Sequence, residues 1–216
     1  MEAQIQKRCL KSHQAANPTY QVNQLDLKGA LAATSALDLI DSNKWSNMSI
    51  QAKSDVIRVL LLHKYGGVWA DATLCMTGGL DSWLNLNTDF ITFIRHDQEA
   101  KESTIVPWMT SWFMASAPGG VIITELQEAV INFWNTAQQP VEYFWLHRLF
   151  SQVISTHEEK LRSAFNPMTA TPADPYQCLG SKLSKPSDLP MFKVTGCPDP
   201  FQKAVFKYLK KKYGIK

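Results

Sequence analysis

The stretch Ser54–Thr73, SDVIRVLLLHKYGGVWADAT, decides the fold prediction, because it combines a helix, a glycine turn and a strand. Ser54 is a suitable N-cap residue, and Asp55 in the first turn would face the positive end of the helix dipole. Apolar residues then follow nearly all round the helix, which predicts that it is buried. Gly66 and Gly67 would end the helix, since glycine adopts the left-handed C′ conformation without strain.

The residues after the glycines, VWADATLCMT, alternate with the period of two that is typical of a strand. Trp69, Asp71 and Thr73 fall on one face of this predicted strand. Asp71 therefore places a carboxylate just after a glycine turn, where it can hold a metal ion or bind hydroxyl groups of a ligand.

Asp55 and Arg58 are three residues apart and therefore share one face of the predicted helix. Because both would lie in its first turn, beside an exposed helix N-terminus, they are candidates for substrate binding. A charged pair on an apolar helix is costly unless the two groups are paired or used. The alternative is an internal ion pair that steadies the helix start, and the pattern favours neither interpretation.

Strands alternating with helices along the chain predict an α/β sandwich. The predicted helices lie at 2–14, 30–40 and 120–137, with others beginning at Pro140 and at Asp199-Pro200, and the further predicted strands lie at 20–25, 90–95 and 108–117. Residues 166–198 contain six prolines and little periodicity, which predicts a long irregular loop. Because we find neither internal repeats nor a linker, we predict a single domain over residues 1–216.

The composition, 45% hydrophobic and 19% charged, is that of a globular protein. A net charge of +3 is too small to indicate nucleic-acid binding, but it suits a protein that handles a diphosphate. The four cysteines, at positions 9, 75, 178 and 197, are irregularly spaced, which favours a reducing compartment over disulfides or zinc. With neither a signal-peptide pattern nor a long apolar run, we expect a cytoplasmic protein without a transmembrane segment.

The opening stretch resembles the SDxxR…YGGxYxDxD segment of glycosyltransferases with the GT-A fold. It looks closest to the capsular polysaccharide synthesis family, which reads SDxxRxxLLxxYGGxWxDAT. A second block, SWFMASAPGG followed by a helix and then VEYFWLHRLF, is similar to the same family. The resemblance implies a GT-A-like domain with a central mixed β-sheet flanked by helices. Compared with that family, the sequence begins at about the helix after the usual first strand, so we expect that strand to be lacking and nucleotide affinity to be the property affected.

The resemblance also implies roles for single residues. Asp55 and Arg58 would contact the donor sugar and its phosphates. Tyr65 and Gly67 would shape the turn beneath the donor, and Trp69 would line its pocket.

A metal site is implied by the same resemblance. Asp71 matches the first Asp of the DxD motif and would bind the sugar and a Mn²⁺ or Mg²⁺ ion. Thr73 stands where the second Asp would be, as a second and weaker metal ligand, because a hydroxyl binds these ions less well than a carboxylate.

Four further residues are candidates, each with a structural alternative. Glu142 could be a base for the attacking hydroxyl or a charge that favours a helix start. His147, on the same predicted helix, is a substrate contact or a core histidine. His96 follows a predicted strand, whose end faces the ligand crevice in open α/β sheets, or it lies in a solvated loop. Trp112 could stack on an acceptor sugar or belong to an aromatic core.

We therefore expect a metal-assisted glycosyltransferase that moves a hexose from a UDP-sugar to a hydroxyl of a glycan or lipid-linked glycan, with Asp71 and Glu142 as catalytic residues. The main alternative is a non-catalytic sugar- or nucleotide-binding protein derived from such a transferase. A glycoside hydrolase is disfavoured, because no convincing pair of carboxylates is evident. The lysine-rich last helix is either a solvated face or a peripheral contact to an anionic membrane surface or pyrophosphate-linked lipid.

Overall fold

The computed structural model describes residues 2–85, 89–94, 109–136, 141–156, 165–168, 191–194 and 199–215. The secondary structure is mixed α/β. In chain order it consists of α1 (Glu2–Ala16), α2 (Leu27–Thr34), α3 (Ala36–Leu39), α4 (Ser42–Asn47), α5 (Ile50–Tyr65), β1 (Gly67–Ala70), β2 (Leu74–Met76), a 3-10 turn (Leu80–Ser82), β3 (Phe90–Ile94), β4 (Met109–Ser116), α6 (Val121–Thr136), α7 (Trp145–Thr156), β5 (Phe165–Met168), β6 (Met191–Lys193) and α8 (Asp199–Tyr213).

The chain divides into two compact units. The central unit comprises residues 25–69 and 86–169, and the terminal unit comprises residues 1–24, 70–85 and 170–216. The single-domain organisation expected from the sequence stays a prediction.

The central unit contains a sheet with the strand order β1-β4-β3-β5. Strand β3 is antiparallel to β4, with Phe90 opposite Ser116, and parallel to β5, with Phe90 opposite Phe165. The sheet is therefore mixed, as predicted. Helices α5 and α7 both pack against β4, so this inner strand of the sheet is covered by helices.

Helix α5 is the buried helix that the sequence predicts, because apolar residues surround it. Val56 and Val59 are fully buried, and Leu60 is 2% exposed. Aromatic rings complete the core of this unit: Phe133 stacks on Trp145 at 5.2 Å between centroids, and Trp134 meets Trp145 edge-on.

The start of α5 differs from the prediction. The N-cap is Ser49, whose Oγ accepts a hydrogen bond from Ala52 N at 3.1 Å, and the helix begins at Ile50 rather than after Ser54. Residues 50–53 are compatible with a helix, so α5 extends back to Ser49 instead of beginning after Ser54. Asp55 therefore lies in the second turn and is buried, not beside an exposed N-terminus.

Three other predicted elements are interrupted or absent. The predicted strand at 68–77 is split, because the chain turns after Ala70 and Leu74 N donates to Asp71 O at 2.9 Å. The predicted helix at 30–40 breaks at Ser35, which has a φ of 54°. Residues 20–25 form no strand; they lead into α2, whose N-cap is Asp26.

The terminal unit is built around α1, which packs against β2 and α8. The buried thiols of Cys9 and Cys75 are in contact, and His13 Nε2 donates to Leu74 O at 2.8 Å. Strand β6 pairs antiparallel with β2, which corrects the prediction of a loop throughout 166–198. No helix within the described ranges is long and apolar enough to cross a membrane.

We predict that Gly66→Ala destabilises the protein more than Gly67→Ala. Both glycines have positive φ, 64° and 82°, so either substitution strains the backbone. Only at Gly66 would the added Cβ lie 2.6 Å from Pro118 N. Urea denaturation should show a loss of roughly 2–4 kcal/mol for Gly66→Ala and about 1 kcal/mol for Gly67→Ala. Equal losses would contradict the importance of the Pro118 contact.

We also predict that acid destabilises the protein through His13. Burial lowers the pKa of His13 below its ordinary 6.5, although its hydrogen bond to Leu74 O opposes this shift. The stability that buried, neutral His13 contributes is therefore complete above pH 6.5. It is lost as the pH falls through the lower pKa that His13 has in the folded protein. In thermal unfolding followed across this range, His13→Gln should lose less stability than the wild type, whereas His63→Gln should follow the wild type. Parallel curves for all three proteins would refute the assignment.

Candidate functional site

Arg58 is the centre of a buried polar cluster in the central unit. Its Nη1 lies 3.0 Å from Asp55 Oδ1 and donates to Ser111 O at 2.6 Å. Its Nη2 donates to Ser54 Oγ at 3.1 Å. The guanidinium also lies over the ring of Trp69, with Cζ 5.1 Å from the ring centroid. Helix α5 and strands β1 and β4 thus meet at one side chain.

The Asp55–Arg58 pair is an internal ion pair, which is the alternative that the sequence left open. Arg58 is 5% exposed and Asp55 8% exposed, so both charges are largely removed from water. A buried charge must be paired and hydrogen-bonded to be tolerated, and the contacts of Arg58 meet that demand at Nη1 and Nη2. Arginine is also the side chain that binds phosphates and carboxylates with two parallel hydrogen bonds. The predicted donor-binding role of both residues stays a prediction.

Asp71 is part of a second cluster, which lies in the terminal unit. Lys193 Nζ is 2.7 Å from Asp71 Oδ2, and the side chains of Lys193 and Asp71 are only 13% and 23% exposed. The antiparallel β2–β6 pairing sets Lys193 opposite Leu74. Val194 N donates to Thr73 O at 3.0 Å, so β6 is also tied to the residues just before β2.

The donor set around Asp71 does not fit the Mn²⁺ or Mg²⁺ ion that the family resemblance implies. These ions prefer several oxygen ligands, carboxylates above all. Here the carboxylate of Asp71 already accepts from an ammonium group, which has no lone pair to offer, and Thr73 supplies only a hydroxyl. Within the described part of the chain, no group of three or more His, Cys, Asp or Glu side chains could hold a metal.

Two other candidates lie at the surface of the central unit. Tyr65 is 56% exposed, and its hydroxyl donates to Ala33 O at 3.1 Å, so it braces α5 against α2. Glu142 precedes α7, which begins at Trp145 and not at Pro140 as predicted. Its carboxylate forms an exposed ion pair with Arg148, at 3.0 Å. An exposed carboxylate is accessible to a substrate, and the catalytic role of Glu142 stays a prediction.

The packing of the remaining candidates favours the core interpretation for two of them. His147 is 8% exposed and lies edge-on to Phe144, at 5.3 Å between ring centroids. Trp112 is 5% exposed and stacks on Phe93 at 5.1 Å. His96 lies outside the described residues.

Two residues of these clusters were not identified from the sequence. Ser111 contributes a backbone carbonyl to Arg58, and no side-chain pattern reveals such a role. Lys193 lies between buried Phe192 and Val194 in a proline-rich region. A lysine inside this short apolar run was the only signal, and a run of that length is too weak to predict a strand.

A family model described as capsular polysaccharide synthesis protein matches residues 2–214, nearly the whole chain. No curated protein matches the sequence.

We predict that the buried ion pair is a major source of stability, unlike the exposed one. Arg58→Met would leave the carboxylate of Asp55 buried without its cation, at a cost of about 3–5 kcal/mol. Arg148→Met removes the same group from the exposed pair with Glu142 and should cost no more than about 1 kcal/mol. Chemical denaturation of the two variants checks the difference, and similar losses would argue against the buried pair.

Proposed function

The chain belongs to the capsular polysaccharide synthesis family, and on that premise we propose that it is a glycosyltransferase. The family indicates a role in polysaccharide biosynthesis. The proposed reaction moves a hexose from a nucleoside diphosphate sugar, in the first place a UDP-sugar, to a hydroxyl of a glycan or lipid-linked glycan. A GT-A-like arrangement and a cytoplasmic location belong to the same proposal.

The observation that carries the proposal is the fixed guanidinium of Arg58. Asp55, Ser54 and the carbonyl of Ser111 hold it in one orientation, and Trp69 lies against its face. A cation that is already oriented loses little free energy in reorganising when charge develops on a leaving group. Arg58 would therefore bind the donor phosphates, and Asp55 would keep the guanidinium in position.

The family resemblance, and not the arrangement of the two units, gives two carboxylates a part in the proposed reaction. Asp71 would accept hydrogen bonds from hydroxyls of the donor sugar. The bond between the sugar C1 and the diphosphate oxygen breaks, and its electron pair leaves with the nucleoside diphosphate. The acceptor oxygen forms the new bond to C1, and its proton passes to the exposed carboxylate of Glu142. No step of this scheme is assigned to a metal ion, because the residues around Asp71 do not fit one.

The other predicted contacts keep their places in the proposal. Trp69 would line the donor pocket beside Arg58. Gly67 would shape the turn that precedes Trp69 in the chain. Tyr65 and His96 would contact the donor, and His147 and Trp112 would shape the acceptor side from within the core.

The proposal is tested by incubating the protein with a panel of UDP-, GDP- and CMP-sugars and measuring release of free nucleotide. We expect one donor class to be turned over. Asp71→Asn and Arg58→Lys should each reduce turnover by roughly 10²-fold or more, since each removes a preorganised group. Asp81→Asn is the matched control, because this carboxylate of the terminal unit is bonded to Tyr20; it should retain wild-type turnover.

The outcome also separates the enzyme from its main rival. A protein that binds a nucleotide sugar in calorimetry, yet neither hydrolyses nor transfers it, would be a non-catalytic binding protein. Equal turnover by the wild type and Asp71→Asn would rule out the role given to Asp71.

A further inference from the structure

Lys193 occupies the place beside Asp71 at which the family motif predicts a divalent cation. Its Nζ lies 2.7 Å from Asp71 Oδ2, and the side chain is 13% exposed. The lysine is therefore not a solvated surface charge that happens to be near a carboxylate. An ammonium group is costly to bury without a partner, and the carboxylate of Asp71 supplies that partner.

The backbone holds Lys193 in this place. Strand β6 pairs with β2 so that Lys193 lies opposite Leu74, and the next residue, Val194, donates to Thr73 O at 3.0 Å. Phe192 and Val194 are both fully buried and anchor the strand on either side of the lysine. The position of the ammonium group next to Asp71 is thus set by strand register.

We propose that Lys193 is a binding residue for the diphosphate of the nucleotide-sugar donor and supplies the positive charge that a divalent metal ion would otherwise bring. This inference rests on the function proposed above. Lysine is a compact charge on a flexible four-carbon stem, so its ammonium group can approach a phosphate oxygen while it remains near Asp71. The negative charge of Asp71, which would repel a diphosphate, is offset by the same ammonium group.

The threonine at position 73, where the general DxD motif has its second Asp, agrees with this role. A divalent ion needs several carboxylate or other oxygen ligands, whereas a lysine needs only one carboxylate to orient it. A second carboxylate at position 73 would add a negative charge where the diphosphate is to bind. Threonine avoids that charge.

The test measures binding of UDP, GDP and inorganic pyrophosphate by calorimetry, first in EDTA and then in Mn²⁺. We expect the wild type to bind at least one of these probes in EDTA, with Mn²⁺ changing its affinity by less than about threefold. Lys193→Met keeps the length of the side chain and removes the charge, so its affinity should fall at least about tenfold. Lys193→Arg keeps the charge and should restore most of the binding.

Lys11→Met is the matched control. Lys11 is an exposed lysine of the same unit, on α1, and no binding role is given to it. Its affinity for the probes should equal that of the wild type. Raising the salt concentration should weaken probe binding in the wild type much more than in Lys193→Met, because screening acts on the charge that the variant lacks. A merely structural lysine would not produce that difference.

Two results would overturn the inference and leave the proposed function standing: probe binding only when Mn²⁺ is present, or equal affinities for the wild type and Lys193→Met in EDTA. The first of these comparisons uses only the wild type, so it decides the matter even if Lys193→Met fails to fold. If no probe binds under either condition, the donor-binding function itself fails, and the inference fails with it.

Discussion

The central unit depends on contacts that a buried guanidinium makes with three different elements. Arg58 binds Asp55 on its own helix, a carbonyl on β4 and the ring of Trp69 on β1. Because few arrangements of these elements satisfy so many contacts at once, the cluster fixes the rotation of α5 against the sheet. Apolar packing alone would tolerate small rotations of a helix that is hydrophobic nearly all round. The charged cluster therefore adds specificity where the hydrophobic pattern adds mainly stability.

The glycine turn after α5 is the second constraint, and it was predictable. Gly66 has a positive φ and lies so close to Pro118 that a side chain would not fit. The sequence predicted this turn and the burial of α5, because both follow from local pattern, whereas the mixed sheet was implied by the family resemblance. Predictions from the sequence were wrong where a residue pattern continued past the end of a helix or strand. The alternation at 68–77 runs through the turn at Asp71, and helix-compatible residues before Ser54 hid the earlier cap at Ser49.

The candidate site was predictable only in part, because local patterns do not reveal contacts between residues far apart in the chain. The pairing of Asp55 with Arg58 follows from their spacing, since residues three apart on a helix are neighbours. The partners that complete each cluster come from far along the chain. Ser111 is 53 residues from Arg58, and Lys193 is 122 residues from Asp71. Packing of α5 on β4 brings Ser111 to Arg58, and the pairing of β6 with β2 brings Lys193 to Asp71. Neither contact can be read from local periodicity.

The two aspartates of the family motif share one feature that the motif alone does not express. Each holds a cationic side chain: Asp55 binds Arg58, and Asp71 binds Lys193. An anionic leaving group can be stabilised by a metal ion or by side-chain cations, and the two solutions place different demands on the protein. A metal ion needs several oxygen ligands, whereas a side-chain cation needs a single carboxylate to orient it. If the proposed reaction uses the second solution, a threonine at position 73, where the general DxD motif has its second carboxylate, leaves the positive charge of Lys193 in place.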